Sequence, residues 1–346
     1  VNEPEPTVGP QPWHAFDGPG NIDERLARLG EPPPWRDFRT RRQRLARTYK
    51  LEDRERNAVN AALHLRRPLL VTGPPGSGKS SLAYAVADNL GLGDVLRWPI
   101  NSRSTLAEGL YTYDAIARLR DVQACSGADP AGAQPTAAIG RYIRLGALGT
   151  ALCGWADSEP NPPSRPRVLL VDEIDKSDID LPNDLLHVLE EGEFEIPELA
   201  RLANYEGLLE TEVGTADRVS AGGTRRRVRV ENGIVQCRVF PFILITSNGE
   251  RDLPPAFFRR CLRLDFPPRA DQARLRQLVE AHFGTAPPPV HLTEQVIDRF
   301  LAQQGDRNLV ANDQLLNALY LVMKPGVPVG TGADALLTLL LRELNK

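Results

Sequence analysis

The octapeptide Gly73-Pro74-Pro75-Gly76-Ser77-Gly78-Lys79-Ser80 constrains this chain more than any other feature. It matches G-x-x-x-x-G-K-S/T in full. It follows the short apolar run Leu69-Leu70-Val71-Thr72 and opens a helical stretch that Gly91 ends. In that setting the glycines let backbone N–H groups curl around phosphate oxygens, and the helix N-terminus adds a favourable partial positive charge. Lys79 is placed to reach β- and γ-phosphates and the Ser80 hydroxyl to ligate Mg²⁺, with Ser81 extending the same phosphate-binding stretch.

A second apolar strand, Val168-Leu-Leu-Val171, runs into Asp172-Glu173. A phosphate-binding loop needs an acidic partner for its metal, which Asp172 supplies through water. Glu173 is the candidate general base that polarises an attacking water, which favours hydrolysis over binding alone. A third apolar strand, Ile243-Leu-Ile, ends in Thr246-Ser247-Asn248, and Asn248 is expected beside the γ-phosphate. Arg259-Arg260 follow Leu253-Pro-Pro-Ala-Phe-Phe258, and a guanidinium there is a candidate for stabilising transition-state charge on a neighbouring subunit's nucleotide.

Strands alternating with helices argue a parallel sheet with helices on both faces. The length of 346 residues allows about two or three domains. We expect a proline-rich N-terminal arm over 1–35 without helical or strand period, an α/β nucleotide-binding domain over 36–268, and an all-helical lid over 269–346. The arm carries Trp13, Phe16 and Trp35, which with Phe38 can dock it on the body. Residues 105–122 read as one helix. Inserts lie near 123–138 and 196–238. The second holds an acidic stretch (Glu198, Glu206, Glu210, Glu212), then Arg225 to Arg229, then Asn232-Gly233, a strong hairpin signal.

Charge and composition narrow the partners. With 41% apolar residues, 25% charged and a formal net charge of −3, nothing global points to nucleic acid or a membrane. The four cysteines form no C-x-x-C pair, so a zinc site or a secreted disulfide framework is not expected and a cytoplasmic setting is. The longest apolar runs are too short to span a bilayer. The arginines at 225–229 lack interleaved aromatics, so a hairpin that is solvated or paired with the acidic stretch is favoured over a nucleic-acid track.

Together GPPGSGKS, VLLVDE, ITSN and LPPAFFRRC resemble an AAA+ ATPase, and within that class the MoxR-like, dynein-related branch. The segment Arg144-Leu-Gly-Ala-Leu-Gly149 and the stretch Leu185 to Glu191 resemble that branch too, over roughly residues 45–345. The resemblance implies a P-loop three-layer sandwich with a parallel central sheet and a small C-terminal helical lid. It implies ATP and Mg²⁺ as cofactors, although no single residue selects ATP over GTP. It makes Asn248 the sensor 1 residue and Arg260 the finger, with Arg259 the alternative because an acidic residue is usual at that place. It makes Arg307 the sensor 2 residue of the lid, and it leaves Tyr49 to border the adenine. It further implies a homo-oligomeric ring, most often a hexamer, that remodels or activates a partner protein, commonly one with a von Willebrand factor A domain. Variants in bacterial conflict or signalling systems look similar. Two alternatives stay open: a nucleic-acid-dependent motor or restriction-type NTPase using the 225–229 hairpin, and a nucleotide-gated switch with slow turnover.

Overall fold

The structure is a computed structural model and describes residues 13–16, 21–37, 41–125, 139–154, 165–206, 210–217, 226–267, 271–284, 287–303, 311–327 and 334–341. Phe38, Arg225, Arg307, positions 126–138 of the first insert and positions 207–209 and 218–225 of the second lie outside the described residues. Contacts divide the chain into two compact units. One holds residues 51–73 and 79–266; the other holds 1–50, 74–78 and 267–346.

Among the described residues the larger unit has a five-stranded and a six-stranded sheet. The strands are β1 (Leu69–Thr72), β2 (Leu96–Pro99), β3 (Tyr111–Tyr113), β4 (Ile143–Leu145), β5 (Val168–Asp172), β6 (Glu193–Glu195), β7 (Glu210–Gly214), β8 (Arg227–Glu231), β9 (Ile234–Gln236), β10 (Phe242–Ser247) and β11 (Leu262–Asp265). The first sheet runs β11-β1-β10-β5-β2, and every neighbouring pair in it is parallel. Its central strands β1, β10 and β5 are unbroken apolar runs because helices cover both faces of such a sheet, so no alternation with polar residues is required. Parallel registry brings the C-terminal ends of β1, β5 and β10 to one edge. Thr72 lies opposite Ser247, and Val171 opposite Ile245. Functional residues of such sheets collect at that edge.

Helices α1 (Ile22–Ala27), α2 (Arg41–Thr48), α3 (Asp53–Leu65), α4 (Lys79–Asn89), α5 (Leu106–Leu110), α6 (Ala115–Cys125), α7 (Ala147–Cys153), α8 (Leu181–Glu191), α9 (Pro197–Glu206) and α10 (Pro255–Arg260) precede the C-terminal group. The single helix expected over 105–122 is two, α5 and α6, with β3 between them. Tyr111-Thr112-Tyr113 suits a strand, and it pairs antiparallel with β4, about thirty residues on. That pairing is invisible to a local helical period.

The second sheet runs β3-β4-β7-β8-β9-β6, with β4 and β7 parallel and the other pairs antiparallel. The expected hairpin is present: β8 and β9 flank Asn232 and Gly233, at φ 52° and 76°, the positive values a two-residue primed turn needs. Ile143, Leu145, Val213, Val228 and Val235 of this sheet share one core with Leu169, Val171, Ile243 and Ile245 of the first and with Leu148 and Leu152 of α7.

The glycines of the segment 144–149 let α7 approach α5 closely. A Cβ on Gly149 would sit 2.0 Å from the Leu110 carbonyl oxygen, and one on Gly146 would sit 2.3 Å from the carbonyls of Glu108 and Gly109. Alanine in an open helix position stabilises by about 1 kcal/mol over glycine. Here Gly149→Ala is expected instead to cost about 1–3 kcal/mol through overpacking, read as a lower urea midpoint. A raised midpoint would show that the approach is not needed.

The smaller unit is helical: α2, then α11 (Gln272–Phe283), α12 (Val290–Gln303), α13 (Asn312–Val322) and α14 (Asp334–Leu340), around Leu275, Val296, Phe300, Leu315, Leu319 and Leu341. The proline-rich segment packs on this group. Trp35 Nε1 donates to Asn317 Oδ1 at 2.8 Å, and its ring meets Phe283 and Tyr320 edge-on at 5.6 and 5.7 Å. The Tyr320 hydroxyl donates to the Glu31 carbonyl, and Lys324 Nζ to the Leu29 carbonyl at 2.9 Å. Contrary to the period-free reading of 1–35, α1 forms, because the Asn21 side chain accepts from the Asp23 N–H at 3.0 Å as its N-cap. Phe16 is almost fully exposed and takes no part in docking. Among the described residues no helix is long and apolar enough to cross a membrane.

Candidate functional site

The glycine loop leaves β1 at Gly73 and enters α4 at Lys79. Gly73, Gly76 and Gly78 take φ of 148°, 73° and 93°, values a side chain opposes. Space opposes one as well: a Cβ on Gly73 would meet Phe266 at 2.8 Å, and one on Gly76 would meet Ala311 at 2.7 Å. Among the described residues the buried Ser77 hydroxyl has no hydrogen-bond partner. A backbone cradle with an unsatisfied hydroxyl fits an anion that supplies acceptors, as a phosphate does. Pro74 and Pro75 lie in the loop, Ser81 is partly buried in the first turn of α4, and the Tyr49 ring lies 3.6 Å from where a Gly78 Cβ would be.

Lys79 is buried. Its ammonium donates to the Gly73 carbonyl at 2.7 Å and to Asn248 Oδ1 at 2.8 Å. Burial holds it down to about 8, against the pull of Asp175, Glu173 and Asp172, which raises it. Its ordinary value is 10.5. Between the two the unfolded chain binds more protons, so folding stability from this group rises with pH there and is lost as pH falls through about 8. Phosphate binding runs the other way, because an anion favours the protonated ammonium. ADP affinity, measured in EDTA, is expected to fall as pH is raised from about 7 to 9.5 with its inflection near 8. A flat profile would remove Lys79 from phosphate binding.

Asp172 closes β5 and accepts four hydrogen bonds. Oδ1 takes the Ser80 hydroxyl at 2.6 Å and the Thr246 hydroxyl at 3.0 Å. Oδ2 takes Arg97 Nε at 3.0 Å and Nη2 at 2.6 Å. Burial alone would raise the carboxyl, but Ser80, Arg97 and Thr246 together hold it below the ordinary carboxylate value. The Ser80 hydroxyl and the Asp172 carboxylate are the oxygen donors that could hold Mg²⁺, a hard cation that favours oxygen ligands.

Glu173 follows in the left-handed region, at φ 64° and ψ 55°. A non-glycine residue there is strained, and surrounding bonds must fix it. Its N–H donates to the Thr246 hydroxyl at 2.9 Å. Its carboxylate accepts from Lys176 at 2.8 Å and from Asn248 Nδ2 at 3.3 Å. The Asn248 amide therefore bridges Lys79 and Glu173. Asn248 is itself placed by Asp175, a buried carboxylate whose Oδ2 accepts from the N–H groups of Asn248 and Glu250 at 2.9 and 3.0 Å.

The structure thus brings Lys79, Ser80, Asp172, Glu173 and Asn248 together. It adds four residues that sequence reasoning missed: Arg97, Asp175, Lys176 and Thr246. Thr246 stands inside the string ITSN and was legible as its polar member, whereas Asp175 lies two residues beyond VLLVDE. Arg97 has no local signal. Arg259 and Arg260 are exposed at the end of α10, away from that cluster. Arg260 pairs with Glu190, and the carbonyls of both arginines accept from Arg67. The basic hairpin is matched across the sheet: Arg227 lies 3.6 Å from Glu212 and Arg229 lies 3.4 Å from Glu210.

A glycine cradle after β1, a buried ammonium and a carboxylate pair at the end of β5, one strand beyond β1's neighbour in the same parallel sheet, place the chain among the P-loop enzymes that bind and hydrolyse ATP. Within that class it belongs to the AAA domain family, dynein-related subfamily, whose model matches residues 68–261, more than half of the chain. None of the curated proteins matches it. Similar solved structures include a candidate ATPase from Cytophaga hutchinsonii, at 11% identity over 75% of this chain and 67% of that one, with a TM-score of 0.35. NtrX from Brucella abortus in complex with ADP is similar at 14% identity over 91% of this chain and 62% of that one, with a TM-score of 0.42. Its complex with ATP gives 15%, 92%, 62% and 0.37. The chain therefore spans about three fifths of the length of the NtrX chains.

Proposed function

We propose that this AAA ATPase is of the MoxR-like type and spends ATP hydrolysis on remodelling or activating a partner protein, one with a von Willebrand factor A domain, in the cytoplasm of a bacterium and as part of a conflict or signalling system. The observation that carries an active hydrolase rather than a passive nucleotide switch is the joined cluster, in which Asn248 touches both Lys79 and Glu173. Lys79 and the cradle from Gly73 to Gly78, with Ser81 beside it, bind the phosphates, and Tyr49 borders the base. Ser80 and Asp172 hold Mg²⁺. When bound, that ion would supply neutralisation of the charge that develops on the phosphate. Glu173 accepts the proton of the attacking water and Asn248 orients that water.

Arg260, or Arg259 beside it, serves the nucleotide of a neighbouring subunit in a ring, most simply a hexamer. Its exposed position and distance from this chain's own cluster support that role. Arg307 belongs to the same reading as a γ-phosphate sensor, with domains at 36–268 and 269–346. The part of the second sheet inserted between Asp172 and Asn248, β6 to β9, supplies the surface for the partner. A nucleic-acid track at 225–229 is not favoured, because Arg227 and Arg229 are already matched by glutamates.

The test is native mass spectrometry and affinity capture with Glu173→Gln in the presence of ATP. We expect an ATP-dependent ring that retains a von Willebrand factor A domain protein. A monomer under all nucleotide conditions would sink the ring, and DNA-stimulated hydrolysis with a steep salt slope would favour the nucleic-acid motor instead.

A further inference from the structure

Arg97 stands on the edge strand β2, where buried Leu96 and Trp98 alternate with exposed Arg97 and Pro99. The register sets Pro99 opposite Asp172 and Arg97 opposite Leu170, so the guanidinium reaches forward along the sheet to the carboxylate. It takes Oδ2 with two of its N–H groups, at 3.0 and 2.6 Å, while Ser80 and Thr246 take Oδ1. The carboxylate belongs to a nearly buried side chain, at 8% exposure, whereas that of Arg97 is 47% exposed. The guanidinium can therefore leave toward solvent without opening the core.

We infer that Arg97 is a resident counter-cation of Asp172 that competes with the divalent cation, so that metal binding is coupled to its release. This rests on the reading of Asp172 as a metal-holding residue. The chemistry is simple. A fork of charge-assisted hydrogen bonds already neutralises the carboxylate. A hard cation arriving beside the same carboxylate, directly or through water, meets a like charge close by and must displace it or bind more weakly. Arg97 acts through Asp172 and is a positioning residue. It keeps the carboxylate ionised and oriented toward Ser80 before nucleotide arrives, and it sets a threshold for the metal.

The experiment is an electron paramagnetic resonance titration of Mn²⁺ into the protein with ADP. It compares wild type, Arg97→Gln, Arg97→Lys and Asp172→Asn, with thermal melting as a check on folding. Arg97→Gln is expected to tighten Mn²⁺ by about 3- to 10-fold, the range for losing a half-exposed ion pair. Arg97→Lys, which keeps the charge but not the fork, should fall between it and wild type. Asp172→Asn should weaken Mn²⁺. Unchanged or weaker Mn²⁺ binding in folded Arg97→Gln would overturn the inference, as would Arg97→Lys binding Mn²⁺ more weakly than wild type. Weakening in Asp172→Asn beside an unchanged Arg97→Gln would overturn it alone. No effect of Asp172→Asn would remove the metal reading of Asp172, and the inference with it.

Discussion

Glu173→Gln is expected to leave ADP and ATP binding within about threefold of wild type and to lower steady-state turnover about 10²- to 10⁴-fold, the usual contribution of a general base. At about 1.4 kcal/mol per decade, that is about 3–5 kcal/mol of transition-state stabilisation. The substitution is nearly isosteric. Glutamine keeps an oxygen to accept from Lys176 and replaces one carboxylate oxygen with an amide, so the hydrogen bonds that fix residue 173 can persist in part while the basic site is gone. The backbone is held independently of the side chain by the N–H donated to Thr246, which keeps residue 173 in its left-handed conformation. Phosphate release should therefore report chemistry, and fluorescent ADP titration should report an intact cradle. Turnover within threefold of wild type would take the base assignment away from Glu173.

The parts of this site that were readable from sequence are those whose residue types the chemistry requires at fixed local spacing. Gly73 to Ser80 is such a string, because positive φ and close approach admit only glycine at three of its places. Asp172-Glu173 and Asn248 were readable as polar tips of apolar strands because the glycine loop requires such partners; alone, an ordinary strand exit or turn would account for them. Arg97 was not readable. It is one arginine on an edge strand, and only the parallel register of β2 with β5 brings it to Asp172. Strand β3 was lost inside a helical reading because its partner, β4, is remote in sequence and joins it through tertiary pairing. The matching of Arg227 and Arg229 with Glu212 and Glu210 followed from charge pattern in outline. The geometry behind it, an antiparallel ladder between β7 and β8, did not.

The same ladder carries the largest expected effect on stability. Arg167, just before β5, is buried almost completely at 1% exposure, and it pairs with Asp217, just after β7, at 14%. Asp217 also accepts the Thr215 hydroxyl at 2.9 Å and lies 3.9 Å from Arg226. Burial alone would raise its carboxyl, but the bonds and charges of Arg167, Thr215 and Arg226 hold it below the ordinary value. Asp217→Ala would leave Arg167 buried with its counter-charge removed and Arg226 close by. It is expected to cost about 3–5 kcal/mol, read as a lower urea midpoint at an unchanged slope. Arg167→Met together with Asp217→Ala should recover much of that loss, because replacing both partners of a buried pair by apolar groups is often neutral. Stability should also fall in acid: the depressed carboxyl contributes above its ordinary value, and that contribution is lost as pH drops through its folded value. Arg167 sits at the opposite end of β5 from Asp172, so the pair pins the second sheet to the base of the strand that carries the acidic residues. If Asp217→Ala melts like wild type, the pair is not what holds that sheet. If it melts earlier yet binds ADP unchanged while folded, the tether serves stability and leaves the nucleotide cradle to its own residues.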